Sequence, residues 1–109
     1  MKLVIAVVQD LDADDVVSTL TQAGYRVTRI ATTGGFFRQG NTTLLSGVED
    51  EQIEGLTALL RKTCKRRTRM MPIAPNSAEH PIMIGAYVEV TIGGATLFVF
   101  DVEHFEQVN

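Results

Sequence analysis

Two segments of the sequence repeat apolar residues every three or four positions, and each is flanked by segments with the character of strands. The first follows the β-branched run Lys2–Val8 (KLVIAVV), which reads as a buried strand. Asp10 or Asp12 can cap a helix there, because a carboxylate accepts the free N–H groups of a first turn. Val16, Val17, Leu20 and Ala23 then share a helical face, and Gly24 supplies the stop. The second segment begins near Glu49–Glu51, where acids suit the positive helix pole, and its stripe is Ile53, Leu56, Leu59, Leu60 and Thr63 or Cys64.

Between the two helices lie two strands. In Tyr25–Thr32 (YRVTRIAT), Tyr25, Val27, Arg29 and Ala31 fall on one face and Arg26, Thr28, Ile30 and Thr32 on the other. Thr42–Val48 (TTLLSGV) returns alongside it. Beyond the second helix, Lys65–Gly85 keeps no period and holds Pro72, Pro75 and Pro81, so long a connection in so small a domain pointing to a functional or disordered segment, with part of Arg69–Ile73 still able to be strand. Tyr87–Ile92 alternates again, Gly93-Gly94 suits a two-residue turn, and Ala95–Val102 reads as the partner strand of a hairpin.

This order predicts an α+β fold of the ferredoxin-like type, βαββαβ with an additional C-terminal strand, both helices covering one face of the sheet. At 109 residues the chain is expected to be a single domain, residues 1–109. Val4, Ala6, Val8, Val88, Val90, Leu97 and Val99 are apolar on their strands, which predicts that the second sheet face is buried too, by other copies of the chain.

Composition narrows the function classes. The apolar run Leu3–Val8 is too short for a signal peptide or a membrane span, so the expectation is a cytoplasmic protein with no membrane role. Cys64 is the one cysteine, with no partner for an internal disulfide or a zinc site. Net charge is −3, yet Arg61, Lys62, Lys65, Arg66, Arg67 and Arg69 are crowded together. Such a run meets phosphate or nucleic acid, or simply places cations at a helix's negative pole, the commoner arrangement.

Catalytic chemistry is poorly supplied. His80 and His104 are the available histidines, and nothing in the spacing sets either beside Cys64 or Ser46; no carboxylate pair has the spacing of metal ligands. The expectation is no enzyme, no catalytic residues and no metal. The stretch ATTGGFFRQGNTT, Ala31–Thr43, matches neither the Walker pattern nor GxGxxG before a helix. As a ligand loop it is better equipped: Phe36 and Phe37 offer faces for a base to stack on, Arg26 or Arg38 can pair with phosphate, and Asn41 can read a purine edge. Each has a plainer role, Phe36 as core or subunit contact, Arg38 as a solvated tip, Asn41 as a turn residue, and composition alone favours the plainer set.

The segments KLVIAVVQDLD, RVTRIATTGGFFRQGNTTLLSGVED and VEVTIGGATLFVF, with ATTGGF, GNTT and GGAT in that order, resemble the PII-like cyclic di-AMP receptor family of Gram-positive bacteria, from Met1 to about Val99. The resemblance reverses the plainer reading. It implies a non-enzymatic homotrimer of ferredoxin-like subunits with sheets facing the three-fold axis, one cyclic di-AMP in each intersubunit cleft, no cofactor besides that ligand, and a downstream protein partner that reads reordered loops. The implied ligand residues are Arg26 and Thr28 on the second strand, Gly35, Phe36 and Phe37 in the loop, Asn41 and Gly47 at an adenine, and Phe98 and Gln107 from the C-terminal part. Phe37 departs from the leucine common in relatives, and MMPIAPNSAEHPIMIGAY lacks their glycine pair and tyrosine-proline pattern. Two alternatives stand beside this reading: a PII-like sensor of another adenine nucleotide such as ATP, and a structural or RNA-binding trimer using Arg61–Arg69, although nucleic acid is not the expected partner of an acidic chain.

Overall fold

The computed structural model describes residues 1–31, 40–72 and 87–109. Gly35, Phe36, Phe37, Arg38 and His80 lie outside the described residues. The elements run β1 (Lys2–Gln9), α1 (Asp10–Gln22), β2 (Thr28–Ala31), β3 (Asn41–Val48), a 3-10 turn (Asp50–Gln52), α2 (Ile53–Thr63), β4 (Arg67–Pro72), β5 (Tyr87–Ile92) and β6 (Ala95–Asp101). Four strands form an antiparallel sheet in the order β2-β3-β1-β6, and β4 and β5 form a separate two-stranded ribbon. With the ribbon set aside, β1, α1, β2, β3, α2 and β6 follow the βαββαβ order, β6 closing the sheet beside β1, so the additional strands are those of the ribbon.

The hairpin expected around Gly93-Gly94 does not form, since β5 pairs with β4 and β6 with β1. The glycine pair instead carries the chain from the ribbon to the sheet across the end of α2. Its φ angles are +96° and +84°, as its turn chemistry requires. Gly93 N–H donates to Gln9 Oε1 at 2.7 Å and Gly94 N–H to the Cys64 carbonyl at 2.6 Å. These distant partners decide the path that the local sequence leaves open.

The core lies between the sheet and the helices. Val4, Ala6 and Val8 of β1 and Leu44 and Val48 of β3 pack against Ala13, Val16 and Leu20 of α1 and Leu56, Leu60 and Cys64 along α2, all at most 3% exposed. The helical stripes thus bury their expected faces, except that Ala23 is an exposed end residue. The assignment of Val4, Ala6, Val8 and Leu97 to the far face is corrected, because register and burial put all of them on the helix-covered face. Val88 and Val90 belong to the ribbon.

Neither Asp10 nor Asp12 caps α1; Gln9 is the N-cap residue, without a side-chain cap bond. Asp10 instead accepts a hydrogen bond from Thr42 Oγ1, and Asp12, 2% exposed, takes Arg67 Nη2 at 2.7 Å. The 3-10 turn that leads into α2 begins with a capping box, Glu49 to Gln52, whereas Gln52, the N-cap residue of α2 itself, makes no side-chain cap bond. Tyr25 and Val27 pack on the core ahead of β2, Tyr25 Oη donating to the Gln52 carbonyl at 3.2 Å.

Candidate functional site

In an antiparallel ladder, residues directly opposite one another share a face. The register therefore sorts the face turned away from the helices into rows. Thr28, Leu45, Ile5 and Phe98 run across all four strands in one row. Gly47, Leu3 and Phe100 form the next, Ile30, Thr43, Val7 and Thr96 lie on the other side, and Asn41 pairs with Gln9 at the far end. Among the described residues no helix covers this face, and Ile30, Phe98 and Phe100 are 43%, 49% and 50% exposed. The second face is apolar as expected, but through the Leu3-Ile5-Val7 set rather than the Val4-Ala6-Val8 set.

These rows place the sequence candidates. Thr28 lies opposite Leu45, and Ser46 Oγ donates to the Arg26 carbonyl at 2.6 Å, which brings Arg26, Thr28 and Gly47 together where β2 and β3 meet. Asn41 is on the same strand as Gly47 but six residues away, about 20 Å at the rise of a strand. Phe98 ends the row that Thr28 begins, three strand spacings or about 14 Å across the sheet. Gln107 lies in the exposed segment after β6. A single protomer therefore gathers Arg26, Thr28 and Gly47, and presents Asn41 and Phe98 elsewhere.

Gly47 is informative because nothing among the described residues demands it. A Cβ there would meet only the Met1 terminal methyl at 3.9 Å, ordinary contact. Glycine weakens a strand, so its presence beside Thr28 leaves a hollow on the uncovered face, the kind of space a ligand or another backbone enters.

A groove of about 510 Å³ lies on the helix side of edge strand β6. Leu60, Cys64, Ala95, Leu97 and Val99 are among its lining, with Arg61, Lys65 and Arg66 at its border. The basic run is thus divided: those three face the groove, while Arg67 is held by Asp12, whose hydrogen bond raises the guanidinium pKa further. Burial pushes the Cys64 thiol from 9.0 to about 11, so it stays protonated at neutral pH. His104 is exposed and pairs with Glu106 at 3.1 Å. Among the described residues no group of three His, Cys, Asp or Glu side chains is placed to hold a metal ion, and no helix is long and apolar enough to cross a membrane.

The model of the cyclic-di-AMP receptor family matches residues 1–108 of this sequence. The chain belongs to the cyclic-di-AMP receptor family. The role that follows is binding of cyclic di-AMP in signalling, and the family is one of receptors rather than enzymes. Among solved structures, a functionally unknown protein from Pediococcus pentosaceus ATCC 25745 is 34% identical, with 98% of this chain and 96% of that one covered and a TM-score of 0.75. A DUF3240 family protein from Shewanella baltica OS155 is 16% identical over 99% of this chain and 96% of that one, with a TM-score of 0.56, a likeness of fold alone.

Sequence reasoning missed the floor of the open face, Leu3, Ile5 and Leu45; it singled out the basic run as a possible phosphate contact but not its division between the groove and Asp12. The signal for the floor was the second apolar parity set within KLVIAVV. Nothing local distinguishes Arg66, on the groove, from its neighbour Arg67, committed to Asp12.

Proposed function

We propose that this receptor binds cyclic di-AMP in clefts between the subunits of a homotrimer and signals to a partner protein without catalysing a reaction. The observation that carries the intersubunit placement is the row Thr28-Leu45-Ile5-Phe98, which puts candidate ligand residues on opposite edges of one sheet. A ring built head to tail brings the β2 edge of one protomer to the β6 edge of the next, and three copies close it. Each cleft then receives Arg26, Thr28 and the Gly47 hollow from one side, and Phe98 and the basic groove from the other. The uncovered apolar face, Leu3, Ile5, Val7, Leu45 and Phe100, turns to the three-fold axis and is buried there.

The ligand chemistry suits such a cleft. Stacking a base on an aromatic ring contributes about 1–3 kcal/mol. Two bases supply part of the roughly 8 kcal/mol of micromolar binding, and cations at the two phosphates supply the rest. Among the described residues Arg26, Arg61, Lys65 and Arg66 have no ion-pair partner, unlike Arg67, and serve the phosphates. Phe36 and Phe37 serve as the aromatic cover, and Asn41 reads an adenine.

Calorimetric titration of the full chain with cyclic di-AMP, with cyclic di-GMP and ATP as controls and sedimentation alongside, tests the reading. One selective site per subunit on a trimer is the expected result. Absence of heat with any of the three nucleotides overturns it and turns attention to RNA at Arg61–Arg69.

A further inference from the structure

The first turn of α1 is where contacts from distant parts of the chain converge. Asp10 N–H donates to the Gly40 carbonyl at 3.0 Å, and Thr42 Oγ1 donates to the Asp10 carboxylate, so the start of β3 is pinned to this turn. Gln9, the cross-strand partner of Asn41, accepts Gly93 N–H at 2.7 Å. Asp12 Oδ1 takes Arg67 Nη2 at 2.7 Å, and Arg67 Nη1 donates to the Lys65 carbonyl at 2.9 Å. Gly93 and Arg67 are the two roots of the β4–β5 ribbon, which pairs with no strand of the four-stranded sheet.

We propose that this turn couples strand β3 to the ribbon, with Gln9, Asp12 and Arg67 as positioning residues through which occupancy at Asn41 is transmitted to β4 and β5. The inference rests on the reading that Asn41 contacts the nucleotide. Its physical basis is the buried Asp12 carboxylate, 2% exposed, whose second oxygen has no hydrogen-bond partner among the described residues. Arg67 is its counter-charge, and moving the ribbon root away strands a buried charge, a strongly unfavourable outcome. A two-stranded ribbon has little stability of its own, so the geometry imposed at its roots governs it. A shift of β3 at Asn41–Thr42 acts on Gln9, which holds the Gly93 root, and on Asp10, in the same helical turn as the Asp12 that holds the Arg67 root. Coupling of this kind is reciprocal: the state of the ribbon changes affinity for the ligand by the same factor that the ligand changes the ribbon.

Amide hydrogen exchange of the full chain, with and without cyclic di-AMP, tests the proposal, and calorimetry first establishes binding. The expected result is that the ligand slows exchange in β4 and β5 by about fivefold or more, the lower end of measured couplings. In the Gln9→Ala/Arg67→Gln variant cyclic di-AMP still binds and the ribbon no longer responds, while Arg67→Lys, which keeps the charge, restores part of the response. Without ligand, the same double variant is expected to speed exchange at Asn41–Leu44 as well as in the ribbon. Binding without any ribbon response in the wild type, or a response of undiminished size in the double variant, overturns the coupling alone. Failure to bind cyclic di-AMP overturns the functional reading, and unchanged exchange at Asn41–Leu44 in the ligand-free variant overturns the coupling independently of it.

Discussion

Three glycines with nearly the same backbone conformation offer an internally controlled test of how the ribbon joins the sheet. Gly24, Gly93 and Gly94 have φ of +95°, +96° and +84°. Replacing any of them with alanine incurs the left-handed penalty, about 1–2 kcal/mol. The surroundings differ. A Cβ at Gly24 meets nothing within 4 Å among the described residues, and one at Gly94 meets Arg66 Nε at 3.2 Å, part of an exposed side chain that can swing away. A Cβ at Gly93 would lie 2.4 Å from the Lys65 carbonyl oxygen, 2.9 Å from its carbon and 3.1 Å from Arg66 Cα, all of it backbone.

That backbone has little freedom to retreat. The Lys65 carbonyl accepts Arg67 Nη1, and the preceding carbonyl, of Cys64, accepts Gly94 N–H. Relief at Gly93 therefore disturbs the ribbon roots, and forced overpacking adds about 1–3 kcal/mol. The expected losses are about 1–2 kcal/mol for Gly24→Ala and Gly94→Ala, and about 2–5 kcal/mol for Gly93→Ala. Urea unfolding at one fixed protomer concentration, with m unchanged across the set, measures them. A Gly93→Ala loss no greater than that of Gly24→Ala refutes the claim that the pair threads past a fixed Lys65.

Cys64 contributes an alkaline limit: the unfolded thiol ionises near 9.0 while burial holds the folded one to about 11, so stability falls as pH rises through that window, by about 2–3 kcal/mol at 1.36 kcal/mol per unit, and the slope becomes shallower in Cys64→Ala. Gly47→Val is expected to leave the protomer as stable or slightly more so, since its strand position has room, while calorimetry shows at least tenfold weaker cyclic di-AMP binding, or about 1.4 kcal/mol; wild-type affinity refutes the hollow as a ligand position. Arg26→Ala and Asn41→Ala weaken the same binding with the trimer intact by sedimentation. Phe100→Ser, on the open face, acts the other way round, shifting sedimentation toward monomer at low concentration.

The ferredoxin-like order was legible because its signals are local. Leu56 and Leu60 sit one turn apart on α2 and are buried together, and the capping box that starts the turn before it involves residues three apart. Gly93-Gly94 shows where local signals stop. Its turn chemistry was read correctly, since both residues have positive φ, but the same chemistry serves a hairpin or a crossing between sheets. The choice rests on Gln9 and Cys64, which no window around the glycines contains. Likewise Leu3-Ile5-Val7 and Val4-Ala6-Val8 are equally apolar, and period-two alternation with both sets apolar says nothing about which faces the helices. Proximity of Arg26 and Gly47 depends on the β2–β3 register and was carried by family resemblance rather than by spacing.

An uncovered face of this kind also accounts for why the site resists being read from one chain. Thr28 and Phe98 occupy opposite ends of a single row, so no loop movement within the protomer brings them together without dismantling β3 and β1 between them. On the proposed reading, the residues converge only when the β2 edge of one copy meets the β6 edge of another. Ligand affinity and assembly then become one equilibrium: a ligand that binds only the assembled cleft favours assembly by RT ln(1 + [L]/Kd), about 2.7 kcal/mol per site at a hundredfold excess over Kd. On that reading, the apolar side chains on the axis hold the ring together and the residues at the sheet edges make it responsive.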